Sequence, residues 1–212
     1  MSALQEERSA ETRRRLLDAT TACLFERGYS GTTTTEIASR AGVSRGAQMH
    51  HFPKKDALVV SALEHLFELR LSEMRAAVAE PPSGSREHRV AVLIDAMWPL
   101  FKGSTFYAWL ELVVASRTDP ALNDAVRAAS LHFWEQLRVG LGTLLDWPTD
   151  QEDKLHGLLD VVVGQLEAMA LERTLLSPGE IDSPRLVRRL ETAKRVSAAL
   201  VRELDSSDPI EK

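Results

Sequence analysis

A short segment near the N-terminus restricts the fold more than any other part of the chain, because helix starts and helix stops alternate along it. Thr33 and Glu36 match a capping box, in which a threonine begins a helix and a glutamate follows at the third helical position. Gly42 then ends that helix, Ser44 is the next strong N-cap, and Pro53 prevents the new helix from continuing. The segment therefore predicts two short helices joined by a tight turn.

Long amphipathic helices account for the rest of the sequence. Apolar residues recur at the helical period over residues 12–27, and Gly28 follows as the expected cap of this helix. A second long helix is expected to begin at Pro53, and residues 81–85, Pro-Pro-Ser-Gly-Ser, form the clearest linker. The remaining helices are expected near 87–101, 105–117, 120–145, 150–176 and 184–204. The sequence shows no strand-like alternation, so the chain is predicted to be all-α, with about nine helices.

The two short helices, braced by a long helix on each side, match a helix-turn-helix arrangement. In that motif the second helix enters the major groove of DNA, so it cannot bury both of its faces in protein. This requirement explains the composition of residues 45–51, Arg-Gly-Ala-Gln-Met-His-His, in which methionine is the only large apolar residue. The sequence thus predicts an N-terminal three-helix DNA-binding domain, with its motif at residues 33–52.

The charge distribution agrees with a DNA-binding head on a different kind of body. Residues 1–56 contain nine Lys and Arg against seven Asp and Glu, whereas the remainder contains 17 basic and 24 acidic residues. A mildly basic head on an acidic body is typical of a module that binds a polyanion. We therefore expect a helix-turn-helix domain over residues 1–56 and a helical ligand-binding and dimerisation domain over residues 57–212.

The second short helix begins with residues that suit contact with DNA. Gly46 and Ala47 keep its exposed face low, so that the backbone can approach phosphates and bases. Arg45 suits a bidentate contact with guanine or a contact with a phosphate. Gln48 has two interpretations: it reads adenine or donates to a phosphate, or it is half-buried.

The adjacent His50 and His51 are donors of the right length for contacts with the DNA backbone. A metal site is the alternative interpretation of this pair. Neighbouring residues point about 100° apart on a helix, however, and no third ligand lies nearby. We expect neither a metal nor a cofactor.

Several stretches of the head resemble the DNA-binding head of the tetracycline-repressor (TetR) family. They are Thr33-Thr34-Thr35-Glu36-Ile37-Ala38, Ala41-Gly42-Val43-Ser44-Arg45-Gly46 and His51-Phe52-Pro53, followed by Lys55. The resemblance covers residues 10–70 in outline. It implies DNA contacts at Thr34, Thr35, Arg45, Gly46, Ala47, Met49, His50, His51 and Lys55.

Some of these positions carry a second interpretation. Met49 stands where the family commonly has a tyrosine, so an apolar contact replaces an expected phosphate hydrogen bond. The resemblance places Lys55 against a phosphate at the start of the following helix. The predicted DNA contacts of Thr34 and Thr35 depend mainly on the resemblance, because capping alone also explains the threonine run. The arginine run at residues 13–15 is either a solvated face or a set of phosphate contacts.

Aromatic residues cluster in the middle of the chain, where the resemblance becomes loose. Five of the 12 aromatic residues fall between Trp98 and Trp109, and Phe133 lies on a later helix that could face them. Such a cluster is either ordinary core or an apolar pocket with a few polar anchors, the usual form of a small-molecule site. The predicted pocket residues are Trp98, Phe101, Phe106, Trp109, Glu111, Phe133, Gln165 and Met169.

The last two predicted helices carry apolar faces that suit dimerisation. Residues 186–204 follow a seam near the 3.5 period, and the preceding helix combines a leucine-rich face with small residues. These faces are buried either within one subunit or against a second copy in a four-helix bundle. The bundle is the more economical interpretation, and the resemblance implies the same dimer. The predicted interface residues are Leu159, Val162, Leu166, Leu186, Leu190, Ala193, Ser197 and Leu200.

The expected function is that of a sequence-specific DNA-binding transcriptional regulator. In this hypothesis a homodimer represses transcription from a pseudo-palindromic operator, and a small, largely apolar effector releases it. Activation in place of repression stays open, as does the existence of the effector. The alternative is a helical ligand-binding or adaptor protein that has lost DNA binding, which Arg45 and Lys55 oppose.

Other function classes lack their sequence features. The chain contains no G-x-S-x-G, G-x-G-x-x-G, H-E-x-x-H or P-loop motif, so we do not expect an enzyme. Cys23 is the only cysteine, which excludes an internal disulfide and is expected to be a small buried residue. No apolar run approaches the roughly 18 residues of a membrane span, and the N-terminus lacks a signal-peptide core. We therefore expect a cytoplasmic protein with no membrane partner.

Overall fold

The computed structural model describes residues 3–78, 82–176 and 184–206. Within these residues the chain forms nine α-helices, one turn of 3-10 helix and no strand, which confirms the predicted all-α class. The helices are α1 (Ala3–Gly31), α2 (Thr34–Ala41), α3 (Arg45–His51), α4 (Lys55–Ala77), α5 (Arg86–Phe101), α6 (Ser104–Ser116), α7 (Pro120–Leu145), α8 (Glu152–Arg173) and α9 (Pro184–Ser206). Pro81 of the expected linker and the turn expected at 177–179 lie outside the described residues.

The described helices group into two compact units. The first unit contains residues up to 72 and residues 103–133, so it combines α1, α2, α3 and α6 with parts of α4 and α7. The second unit contains residues 73–102 and those from 134 onward, so it combines α5, α8 and α9 with the remaining parts of α4 and α7. The two short helices therefore share a unit with α6. The domain boundary after residue 56 concerns function and stays a prediction.

The core of the first unit joins the two short helices to the long ones beside them. Leu16 and Cys23 of α1 and Ile37 of α2 are fully buried there, and Phe52 and Leu58 close the core beyond α3. Each large apolar side chain buried in this way stabilises the fold by about 1.5–3 kcal/mol. Helices as short as α2 and α3 are unstable alone, so this packing holds them in place. Burial also raises the pKa of the Cys23 thiol.

A kink interrupts α1 near its end. Gly28 has φ 67° and ψ 176°, a conformation that favours glycine, and the helix then resumes as far as Gly31. The prediction that the helix of residues 12–27 is capped at Gly28 is confirmed, because the non-helical φ and ψ of this residue separate it from the short helical stretch that follows. Thr32 Oγ1 donates to the Gly28 carbonyl at 2.7 Å and fixes the path from the kink towards α2.

Helices α5, α8 and α9 form the core of the second unit. The seam predicted on α9 is buried at Leu186, Ala193 and Ser197. An ion pair between Lys194 Nζ and Asp95 Oδ1, at 3.0 Å, joins α9 to α5 at the edge of this core. The seam therefore packs inside its own chain.

Candidate nucleic-acid interface

The turn between α2 and α3 forms as the sequence predicts. Thr33 Oγ1 accepts the backbone N–H of Glu36 at 3.2 Å, as in a capping box. Gly42 adopts a left-handed φ of 63°, and its N–H donates to the Ser39 carbonyl at 3.0 Å. Arg15 Nη2 donates to the Gly42 carbonyl at 3.2 Å and lies 2.7 Å from where a β-carbon would stand. Glycine is therefore the residue that fits this turn without strain.

Helix α3 is seven residues long, and hydrogen bonds close both of its ends. Ser44 Oγ accepts the backbone N–H of Ala47 at 3.1 Å. At the other end the N–H of Phe52 donates to the Gln48 carbonyl at 2.8 Å, and the Phe52 ring is buried in the core. The position of α3 is thus fixed at both ends.

Gln48 lies inside the fold and not on its surface. Its side chain is 1% exposed, and its Nε2 donates to the Phe52 carbonyl at 2.6 Å. Arg45 Nη1 in turn donates to Gln48 Oε1 at 2.8 Å. The assignment of Gln48 to the DNA-contacting residues is therefore corrected, because both ends of its amide are engaged within the protein. Gln48 instead orients Arg45.

The outer face of α3 is open to solvent. Met49 is 51% exposed, and no side chain stands close to Gly46, where the nearest atom to an added β-carbon would be Ser44 Oγ at 3.9 Å. We call the exposed residues Arg45, Gly46, Met49 and His50 the α3 surface. Of the other residues predicted to contact DNA, Thr35 is exposed, and Thr34, Ala47, His51 and Lys55 are half-buried.

The three consecutive arginines of α1 make contacts within the protein. Arg15 caps α2 through the Gly42 carbonyl, as described above. The guanidinium of Arg13 lies over the Phe52 ring, 5.4 Å from its centroid. Arg14 pairs with acidic side chains of its own helix. All three are exposed, as a solvated face would be, but Arg13 and Arg15 also brace the helix-turn-helix segment, a role that neither of the two sequence interpretations included.

His51 differs from His50 in its surroundings. Burial lowers the pKa of His51, and His50 and Arg13 lower it further. The neutral ring is therefore the dominant form near neutral pH. A neutral His51 can donate one hydrogen bond to a phosphate but adds no positive charge to the α3 surface.

Lys55 is directed towards α1. Its Nζ donates to the Tyr29 carbonyl at 3.1 Å and lies 4.2 Å from the centroid of the Tyr29 ring. Burial lowers the pKa of Lys55. The phosphate contact at Lys55 stays a prediction, because the Tyr29 carbonyl accepts only one of the three N–H donors of this half-buried ammonium group.

A buried arginine lies among the aromatic residues of the first unit. Arg70 of α4 is 6% exposed, and its guanidinium lies 5.5 Å from the Phe106 centroid and 5.6 Å from the Phe133 centroid. Phe133 stacks on Phe67 at 4.7 Å, and Phe106 contacts Trp109 at 5.6 Å. Three of the predicted pocket residues therefore belong to one cluster. Sequence reasoning missed Arg70, because a single arginine in an amphipathic helix normally faces solvent.

Glu111, predicted as a polar anchor for a ligand, contacts α1. Its Oε2 accepts the backbone N–H of Tyr29 at 3.2 Å. A β-carbon at Gly28 would stand 2.8 Å from the same oxygen. Glu111 is therefore removed from the predicted pocket, because its carboxylate is held against the kink of α1.

The other predicted pocket residues lie in the second unit. Phe101 is buried, and the Trp98 ring has Lys102 Nζ at 5.6 Å. Gln165 and Met169 line a cavity of about 410 Å³ between α8 and α9, together with Arg185, Arg188, Arg189 and Thr192. The predicted set is thus divided between the two units, and the aromatic cluster of the first unit contains three of its eight members.

The residues predicted to form the dimer interface pack mostly within their own chain. Leu159, Val162, Leu166, Leu186, Ala193 and Ser197 are buried, and Leu190 and Leu200 are half-buried. The assignment of the six buried residues is corrected, because α8, α9 and α5 contact one another within the chain, whereas Leu190 and Leu200 stay predicted interface residues. The exposed side of α8 carries a different set, which we call the outer stripe: Gly157, Val161, Gly164, Ala168 and Leu171.

Two further features are absent from the part of the chain that the structure describes. No group of three or more His, Cys, Asp or Glu side chains there is placed to hold a metal ion. Among the described helices, none is long and apolar enough to cross a membrane.

Comparison with known proteins adds a family match to this geometry. Residues 16–62 match the family model described as "Bacterial regulatory proteins, tetR family". The HTH-type transcriptional regulator CymR of Pseudomonas putida is 35% identical over 123 residues, which cover 58% of this chain and 60% of CymR. The role named for CymR is regulatory and not enzymatic.

Solved structures share the fold over nearly the whole chain. A transcriptional regulator from Rhodococcus sp. Rha1 has a TM-score of 0.63 at 24% identity, covering 93% of this chain and 99% of that one. The multidrug binding protein EbrR, in complex with ethidium, has a TM-score of 0.62 at 23% identity, covering 89% of this chain and 98% of EbrR. The matched segment at residues 16–62 contains the whole α3 surface.

Proposed function

Because this chain belongs to the TetR family of bacterial regulators, we propose that it is a transcriptional repressor that binds a specific operator as a homodimer and responds to a small molecule. The α3 surface is the observation that carries the proposal. Arg45, Met49 and His50 stand exposed around an uncrowded Gly46, on a helix capped at both ends. Such a face fits the major groove, where a low profile admits the backbone and an arginine reads guanine.

The buried neighbours of the α3 surface support a role in reading DNA. Arg45 is oriented by Gln48, whose own amide is fixed by the Phe52 carbonyl. A side chain that is held in place before binding loses less entropy when it binds. Specific contact is therefore proposed for Arg45, with Met49 packing against a base methyl group or sugar.

The homodimer is proposed to form through the outer stripe of α8. Its residues are separated alternately by four and three positions, the spacing of a seam between two helices. Gly157 and Gly164 leave open space where a second helix can approach, since nothing lies within 4 Å of a β-carbon added to either. In a two-fold dimer, two α3 surfaces would meet half-sites about 34–36 Å apart or a multiple of that distance.

The effector is proposed to bind in a groove of about 500 Å³ between α4 and α7 in the first unit. Leu63, Phe67 and Phe133 form its apolar floor, and Phe133 also contacts the guanidinium of Arg70. Glu64 and Glu68 lie along its rim, so the groove suits a largely apolar molecule that carries positive charge. The complex of EbrR with ethidium supports the proposal that a protein of this fold takes up a small molecule.

Release from DNA is proposed to follow from a shift of population. An effector that binds better to a state with wrongly spaced α3 surfaces lowers the affinity for the operator. A typical coupling of about 1–3 kcal/mol corresponds to a decrease of about 5- to 150-fold.

Selection of DNA fragments by the purified protein tests the DNA-binding part of the proposal. We expect enrichment of one pseudo-palindromic sequence, bound about 10³- to 10⁷-fold more tightly than random DNA at physiological salt. Fluorescence anisotropy against an excess of random DNA, at several salt concentrations, measures this ratio. Equal affinity for all sequences at every salt concentration would refute operator recognition.

A thermal-shift screen of apolar organic cations tests the effector site. A ligand of the groove should raise the melting temperature of the wild-type protein. Ala129 also lines the groove, and Ala129→Trp should fill it and abolish that rise. A ligand whose effect survives Ala129→Trp binds elsewhere, and the assignment of the groove would then be wrong.

A further inference from the structure

Two side chains, one from α6 and one from α4, contact the same residue of α1. Tyr29 follows the kink at Gly28, and its backbone N–H donates to Glu111 Oε2 of α6 at 3.2 Å. Its carbonyl accepts Lys55 Nζ of α4 at 3.1 Å, and its ring lies 4.2 Å from the same ammonium group. Tyr29 is thus held from one side by α6 and from the other by the first residue of α4.

The contact between α6 and the kink leaves little freedom. A β-carbon on Gly28 would stand 2.8 Å from Glu111 Oε2 and 3.4 Å from its Cδ. The carboxylate therefore lies directly against the backbone of α1, at the residue whose positive φ already favours glycine. A charged acceptor also makes a stronger hydrogen bond to an amide than a neutral one.

The same face of α6 meets α1 a second time. Tyr107 lies four residues before Glu111, and its ring is 6.2 Å from that of Phe25, which lies four residues before Tyr29. Residues four apart share one face of a helix. The two contacts therefore define the register of α6 on the last part of α1, and α1 and α6 form the most extensive helix pair described.

The joint at Tyr29 leads directly to both short helices. The Gly28 carbonyl accepts Thr32 Oγ1 at 2.7 Å, and Thr32 is followed by Thr33, the N-cap of α2. Lys55 begins α4 three residues after Phe52, which caps α3. A displacement of α6 along α1 would thus act on the entry to α2 and on the exit from α3.

Helix α6 also carries Phe106 and Trp109 of the aromatic cluster around Arg70. One face of α6 therefore belongs to that cluster, while Tyr107 and Glu111 on another face contact α1. We propose that Glu111 is a positioning residue for DNA binding, which transmits the position of α6 through Tyr29 to the helices that carry the α3 surface. This inference rests on the proposed operator binding.

The test compares three variants of the full-length protein. Glu111→Ala removes the acceptor of the Tyr29 amide, and Glu111→Gln keeps an oxygen there. Glu203→Ala, at an exposed glutamate of α9, is the matched control. Each variant is measured for operator affinity, for affinity to random DNA, and for hydrogen exchange at the Tyr29 amide.

We expect Glu111→Ala to exchange the Tyr29 amide faster and to lose operator affinity by at least about fivefold, the low end of typical coupling. Affinity for random DNA should change little, because the charges that meet phosphates are untouched. Glu111→Gln should restore most of the operator affinity, and Glu203→Ala should match the wild type. Unchanged operator affinity in a folded Glu111→Ala protein, despite faster exchange at Tyr29, overturns the inference while operator binding itself stands.

A measurement on the unaltered protein covers the case in which Glu111→Ala does not fold. Operator DNA should slow hydrogen exchange at the Tyr29 amide, and random DNA should not. Equal exchange with both DNAs counts against the role of Glu111. A wild-type protein with no preference for its selected operator would overturn this inference together with the proposed function.

Discussion

The α3 surface and the outer stripe of α8 are both exposed, low-profile helix faces, yet they differ in chemistry. On α3 the exposed glycine stands beside Arg45 and His50, and both helix ends are closed by caps. On α8 the exposed glycines alternate with Val161 and Leu171, which are 38% and 44% exposed. Glycine alone therefore does not indicate a partner. The side chains next to the glycine determine whether the face suits a polyanion or another apolar helix.

The two faces also differ in what supports them. Beneath the α3 surface lie polar contacts, such as the amide of Gln48 between Arg45 and the Phe52 carbonyl. Beneath the outer stripe lies the apolar core of the second unit, including Leu158, Leu166 and Met169. A face that must orient hydrogen-bonding groups needs a polar support, whereas a face that buries apolar area does not.

A charge on the outer stripe should have the largest effect on operator affinity. We expect Val161→Arg to turn the dimer into monomers, because the seam would then bury an unpaired guanidinium. Operator affinity should fall by about 10²- to 10⁴-fold, since the second α3 surface no longer binds at a high effective concentration. Light scattering and anisotropy measure the two effects, and Val139→Arg, at an exposed valine of α7, is the control. A dimeric Val161→Arg protein would place the interface elsewhere.

Removal of the Arg45 side chain should have the next largest effect on DNA binding. Arg45→Ala is expected to cost about 1–3 kcal/mol of discrimination between the operator and random DNA, the value of one bidentate base contact. Competition anisotropy measures this ratio, with Arg127→Ala on the exposed side of α7 as the control. If operator and random DNA lose affinity equally, Arg45 contacts a phosphate and not a base.

Substitutions of Gln48 and of its exposed neighbour Met49 should affect the free energy of unfolding to different extents. Gln48→Ala leaves the Phe52 carbonyl without its donor and is expected to lower the free energy of unfolding by about 1–3 kcal/mol. Met49→Ala should change it by less than about 0.5 kcal/mol, as is usual for an exposed side chain. Urea denaturation measures both values. Equal effects would contradict the separation of buried support from exposed surface.

A methyl group at position 46 should stabilise the fold but weaken operator binding. Gly46→Ala is expected to raise the free energy of unfolding by about 0.5–1 kcal/mol, because alanine favours helix and no neighbour obstructs it. Operator affinity should nevertheless fall, since the methyl group would hold the backbone away from DNA. Gly140→Ala on α7, also uncrowded, should stabilise the fold without affecting DNA binding. Unchanged operator affinity in Gly46→Ala would mean that the helix does not approach DNA closely.

The smallest expected effect is a pH dependence from His51. Its pKa lies below the ordinary value of a histidine, chiefly because of burial, so the folded state binds a proton less readily than the unfolded chain. The free energy of unfolding should therefore decrease as the pH falls from about 7 to about 5. His51→Gln should reduce this decrease, and His50→Gln, which removes only one neighbouring cause of the lowered His51 pKa, should reduce it less. Urea denaturation at the two pH values decides between them.

The short-range features of this protein were readable from the sequence. The caps at Thr33 and Ser44 and the left-handed turn at Gly42 involve groups within one helical turn of each other, so local residue types determine them. The helix bounds of α5, α6, α7 and α9 likewise lie within about two residues of those predicted, because proline, glycine and serine mark them. The α3 surface follows from the same local features.

Periodicity identified apolar faces but not what covers them. The seam of α9 packs within its own chain through Leu186, Ala193 and Ser197. The same spacing would serve equally well between two subunits, so the sequence pattern did not distinguish the two. The sequence also places small residues on α8, but only the packing shows that Gly157 and Gly164 lie on its exposed side.

The partners of long polar side chains depended on tertiary structure alone. Gln48, Lys55 and Glu111 each have a chemistry that suits DNA or a ligand, and each bonds to a backbone group of the protein. Their partners at Phe52 and Tyr29 become neighbours only when the helices pack, and in the case of Glu111 the two residues are 82 positions apart. Local sequence therefore determined where helices begin, end and expose small residues. The packing of distant helices decided which polar groups turn inward, because a buried backbone amide or carbonyl requires a partner wherever the fold can supply one.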